Sequence, residues 1–176
     1  VASWLLLVSI QNRNPLVLQG GDILFRMIFF WAMFLPLGAR CSLDRYLAKT
    51  SGTAKPDEPK VVLTWATAAV LIQSVLLYVF AGILKTGPEW TRDYTAVYYA
   101  MSIDQLTTPA GHWLLSHPDL MKTLTRSTIL VEIYAPLLFF IPFFTSFFRV
   151  VAILLLFGMQ MGFGATIRVY IFPWIC

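Results

Sequence analysis

An all-α, multi-span transmembrane helix bundle is the fold class this sequence predicts, and three observations predict it. Hydrophobic residues make up 58% of the chain and charged residues only 12%, with a mean hydropathy of +0.71, well outside the range of soluble domains. The apolar residues gather into long runs, and the longest, Val61 to Leu84, carries no charge. Each crossing of the hydrocarbon layer takes about 20 residues, so 176 residues hold four or five spans in a single domain, 1–176. The expected setting is therefore the lipid bilayer, as a multi-pass protein of a bacterial-type cell membrane if the source is prokaryotic. The chain opens at Val1 inside one apolar run and stops at Cys176 inside another, which reads as a piece of a longer protein truncated at both ends.

The elements follow in order. Val1 to Ile10 reads as the last part of a first span, closed by the polar turn Gln11 to Pro15 and the pair Gly20-Gly21. Asp22 is placed to cap a second helix, which runs from about Ile23 to Ala39 and is loosened by Pro36 and Gly38. Arg40 to Lys60 is polar, broken by Gly52, Pro56 and Pro59, and reads as a hydrated loop. Val61 to Leu84 is the third span. From Lys85 to Arg126 aromatic and polar residues mix, and Tyr94, Tyr98, Tyr99 and Trp113 suit the headgroup zone, so interfacial helices are expected between the third and fourth spans. One of these starts at Ser116-His117-Pro118-Asp119, with Pro118 at the first helical position. Ser127 to Phe147 is the fourth span, Arg149 marks a turn, and a last span ends around Arg168 to Ile171. Lys and Arg in short loops favour the cytoplasmic side. The Arg40 to Lys60 loop would then be cytoplasmic, with the Lys85 to Arg126 region opposite.

Several partners are excluded by pattern. The thirteen Lys and Arg are scattered between apolar runs and form no basic stripe, which argues against nucleic acid. Cys41 and Cys176 have neither metal-ligand spacing nor a disulfide framework. His112 and His117 are five apart, without the i, i+4 spacing or acidic companions of a metal site, so no metal is expected.

The informative residues are polar groups in apolar surroundings. An ionisable group at the centre of the bilayer costs about 2.5 to 3.5 kcal/mol on insertion scales, so each needs a partner, a wet cavity or a task. Asp22 and Arg26 are four apart, on one helix face, as an ion pair that either lines a site or fixes packing. Lys85 follows the longest apolar run, and its spacing alone favours an interfacial anchor. Glu132 is flanked by Ile129, Leu130, Val131 and Ile133, and Gln160 lies mid-span, where an amide more often joins helices than performs chemistry. Convergence of Asp22, Arg26, Lys85, Glu132 and Gln160 on one polar pocket is the reading that gives them a shared function. Gly158 and Gly162 form a small-xxx-small pair that predicts close helix approach. The Phe stripe from Phe139 to Phe148 reads as lipid-facing or core surface.

Asn12-Arg13-Asn14-Pro15, Gly20-Gly21-Asp22, Arg26, Phe30-Trp31, Phe34 to Gly38 and Ser42-Leu43-Asp44 resemble the opening of the HTTM domain, the membrane module shared with vitamin K-dependent gamma-glutamyl carboxylases. Tyr78, Ala81-Gly82, Lys85, Trp90, Tyr94, Glu132 to Pro136 and Phe172-Pro173-Trp174 extend the resemblance over nearly the whole chain. The resemblance implies that Lys85 matches the lysine that removes a proton from vitamin K hydroquinone, with that or another quinone as the amphiphilic ligand. An amine accepts a proton only when neutral; burial favours that form and a neighbouring carboxylate opposes it. Asn14 and Gln160 stand where the carboxylases carry histidines, and neither amide exchanges a proton near neutral pH. A non-catalytic membrane module, serving as assembly partner or carrier of a lipid-like ligand, is the alternative.

Overall fold

A computed structural model describes residues 1–14, 18, 20–35, 47, 50, 51 and 64–168. The last four residues of the expected second span, Pro36 to Ala39, most of the Arg40 to Lys60 loop, Cys41, Cys176 and Phe172-Pro173-Trp174 lie outside the described residues. Among the described residues every regular element is helical, and the only sheet-like pairing is an isolated bridge between Thr107 and Ile167. The chain divides into two compact units, residues 1–72 and 73–176.

The first unit contains α1 (Ala2–Arg13), α2 (Gly20–Ala32) and the beginning of α3 (Trp65–Ile83). Two side chains tie α1 to backbone carbonyls of α2: Trp4 Nε1 donates to Arg26 O at 3.1 Å and Gln11 Nε2 to Asp22 O at 3.0 Å. Those pairings run in opposite directions along the two helices, which are therefore antiparallel. Aromatic rings fill the rest of the unit, with Trp4 against Phe30 and Trp65 against Trp31 and Phe34. The helix begins two residues before the expected cap. Asp22 thus lies inside the first turn, where a carboxylate favours the positive end of the helix dipole, rather than at the N-cap.

The second unit contains the rest of α3, the short helices α4 (Pro88–Thr91), α5 (Ala96–Met101) and α6 (Pro109–Leu115), then α7 (Pro118–Tyr134) and α8 (Thr145–Thr166). α7 starts at Pro118 and runs unbroken through Arg126 into the apolar stretch. The interfacial helix and the fourth span expected from Ser127 are thus one helix. Charge did not end it, because Lys122 and Arg126 are exposed on one side while Met121, Thr125, Thr128 and Glu132 form the buried stripe. Pro136 has no N–H to return to Glu132 O, so the helix tightens into a 3-10 turn, Pro136–Phe140. The reversal into α8 occurs at residues 141–144, not at Arg149. Pro142 interrupts the helix there and Phe144 adopts a left-handed conformation, φ 45°.

Among the described residues, three helices are long and apolar enough to cross a membrane: Trp65–Ile83, Pro118–Phe140 and Thr145–Thr166. Much of their surface is apolar and uncovered. Phe140, Phe143, Phe144 and Phe147, from the stripe noted in the sequence, are all exposed, as are Leu154 and Phe157. The short helices cap one end of the unit through Val97, Met101 and Met121, packed with Leu114, Leu124 and Ile167. They are pinned to the end of α8: Thr108 Oγ1 donates to Ala165 O at 2.6 Å, and Arg168 N donates to Leu106 O at 2.7 Å. Gly111 permits the closeness, since a Cβ there would lie 2.6 Å from Thr166 O.

Candidate functional site

Two features of the second unit bear on function: an ion pair between α3 and α7, and a groove between α7 and α8. The ion pair is built on a glycine. Gly82, in the last turn of α3, faces α7 so closely that a Cβ would sit 2.5 Å from Ile133 Cγ1 and 3.3 Å from Glu132 Cβ. α3 ends one residue later, and Lys85 folds back along it so that Nζ donates to Ala81 O at 3.1 Å and to Glu132 Oε2. Trp90, from α4, lays its ring 5.0 Å from the same nitrogen. Carboxylate, carbonyl and ring face all attract positive charge. The side chains of Lys85 and Glu132 are 18% and 8% exposed, so the ammonium does not snorkel outward as an interfacial anchor would. The ion pair instead gives Glu132 the partner its apolar surroundings demand.

Seven residues before Lys85, two turns back on the same face of α3, Tyr78 meets α8. Gln160 Nε2 donates to Tyr78 Oη at 3.1 Å, and both residues are buried. Gln160 Oε1 is buried and has no hydrogen-bond partner among the described residues. Asp22 and Arg26 belong to the other unit, where their carbonyls receive the Gln11 and Trp4 side chains. Among the described residues, no three His, Cys, Asp or Glu side chains gather as a metal site.

The groove has a volume of about 450 Å³ and lies between α7 and α8, with α5 and α6 over one end. Its walls are mainly Val97, Met101, Leu114, Leu120, Leu124, Val131, Leu155 and Phe163. Leu120 to Val131 and Leu155 to Thr166 are each eleven steps along a helix, roughly 16 Å at 1.5 Å per residue. Gly158 and Gly162 line it, and a Cβ on either would meet nothing within 4 Å. The expectation that this pair brings two helices together is therefore corrected: the missing side chains leave space. Neither Lys85 nor Glu132 is among the lining residues, although Thr128 and Val131, within one turn of Glu132, are. Sequence reasoning did not single out Thr128. The signal was its place in the i, i+3, i+4 series Met121, Thr125, Thr128, Glu132.

Comparison with protein-family models, with curated proteins and with solved structures found no match to this chain.

Proposed function

We propose that this chain is a multi-pass membrane module, with α4 to α6 as interfacial helices between the third and fourth spans, that holds the apolar part of an amphiphilic small molecule. The observation that carries this reading is the α7–α8 groove, whose walls are apolar and whose two glycines face open space. A cleft of that size and lining has the character of a site for a small apolar ligand. The resemblance to the HTTM domain adds a ligand class, a lipid-soluble quinone. Because Gly158 and Gly162 have free space in front of them, leucine at both positions fills the groove without disturbing the packing. Titration of nanodisc-held protein with a prenylated naphthoquinone should give saturable binding that weakens at least tenfold in the Gly158→Leu, Gly162→Leu double variant. Unchanged binding with an unchanged melting temperature sinks the groove as the site.

A second reading, an enzyme of the vitamin K-dependent carboxylase type, is favoured by the meeting of Lys85 and Glu132 away from water. In it Lys85 takes the proton of a quinol, and Glu132 and Gln160, of the same unit, supply polar support. Lys85 would first have to surrender the carboxylate, and the quinol would have to reach it from the neighbouring groove. Lys85→Ala is then expected to abolish quinol-dependent turnover in folded protein; turnover that survives removes Lys85 as the base.

A further inference from the structure

Among the described residues, one polar side chain of the groove, that of Thr128, makes no hydrogen bond within the protein. Thr123, Thr125 and Thr166 each donate their hydroxyl to the carbonyl four residues back, at 3.0, 2.9 and 2.8 Å, the ordinary fate of a helical threonine in apolar surroundings. By the same pattern Thr128 would use Leu124 O. That carbonyl receives the Ser127 hydroxyl at 3.0 Å instead, and Thr128 makes no side-chain hydrogen bond among the described residues. Yet Thr128 is only 6% exposed and it lines the groove. Its hydroxyl is not sealed in the protein, as the unpartnered oxygens of Gln11 and Gln160 are, but opens onto the groove, so whatever fills the cleft meets it there.

The lining also limits what can enter. None of the groove's lining residues is charged. Thr128 lies eight residues along α7 from Leu120, about 12 Å inward from the end covered by the short helices. An ionised head at that depth would lose its water and find no cation, whereas a hydroxyl or carbonyl needs only one hydrogen bond. A threonine hydroxyl both donates and accepts, so it serves either.

We infer that Thr128 is the polar recognition point of the groove and that its ligand is a single-chain lipid with an un-ionised hydroxyl or carbonyl group, not a fatty acid anion or a phospholipid. The inference rests on the reading of the groove as an amphiphile site, and the test keeps the two apart. The probes are tritiated dodecanol and dodecanoate at pH 9, bound at equilibrium to the whole chain held in amphipol. Wild-type protein is expected to bind dodecanol at least tenfold more tightly than dodecanoate. Thr128→Val should weaken dodecanol binding about two- to tenfold, the worth of one net hydrogen bond, and Thr128→Ser should restore it. Gly158→Leu should weaken both probes. Dodecanoate binding as tight as dodecanol, or dodecanol binding indifferent to Thr128→Val, overturns the inference while the groove stands. If Gly158→Leu leaves wild-type binding intact, or if neither probe binds saturably, the groove reading falls and takes the inference with it.

Discussion

α7 meets its two long neighbours in opposite ways. Toward α3 the contact is closed: Gly82 lets the helices approach until a single added carbon would collide with Ile133, and the ion pair of Lys85 with Glu132 fills the remaining polar demand. Toward α8 the contact is open: Gly158 and Gly162 have nothing in front of them, and about 450 Å³ lies between the helices. The same residue type serves close packing on one side and vacancy on the other. What differs is the facing surface, a β-branched side chain and a carboxylate in the first case and the mainly apolar groove wall in the second. The lesson is that a small residue in a membrane helix specifies permission for approach, and the partner decides whether the permission is used.

The contrast can be broken at three depths. The largest effect is expected from Glu132→Ala, which leaves the Lys85 ammonium at a helix contact with only Ala81 O and Trp90. Removing one member of a buried pair costs about 3 to 5 kcal/mol, and the partial exposure of Lys85 puts the change near the lower end. A melting temperature in detergent that stays within one or two degrees of wild type would show that the ion pair is not structural. Next is Gly82→Leu, which forces Ile133 aside and should destabilise by about 2 kcal/mol through overpacking, whereas leucine at Gly158 should leave melting unchanged. Equal melting of these two variants would erase the distinction between closed and open contacts. The smallest effect compares two threonines three residues apart on α7. Thr125 is fully buried, accepts from Val97 N and donates to Met121 O, so Thr125→Val should cost about 1 to 2 kcal/mol. Thr128→Val, measured on ligand-free protein, should cost nothing or stabilise slightly, and a loss matching Thr125→Val would mean its hydroxyl is already satisfied.

Much of the helical framework was legible in the sequence. An uncharged run from Val61 to Leu84 admits almost no structure but a long helix, and α3 occupies most of it. Glu132 stood out because four aliphatic neighbours leave a carboxylate no bland explanation. The reach of Lys85 was not legible, because a lysine at a helix end can turn outward to water or inward to a partner, and that partner, Glu132, lies 47 residues on in the chain and is brought near by the contact of Gly82 with α7. The start of α7 at Pro118 was legible, but its continuation through Arg126 into the span was misread for a related reason. Lys122 and Arg126 look like an interface in one dimension, but helical periodicity puts them outside the buried stripe, on an exposed flank, so they mark a face and not a boundary. The groove was the least legible feature. An empty volume is defined by what four helices fail to fill, and Thr128 became notable only when its neighbours' hydroxyls were seen to be spent.

The reversal between α7 and α8 occupies four residues, 141–144. A link that short holds the two helices side by side as a hairpin. Every residue that walls the groove lies between Val97 and Thr166, so the cleft is assembled from one uninterrupted stretch of chain and its geometry does not wait for distant segments.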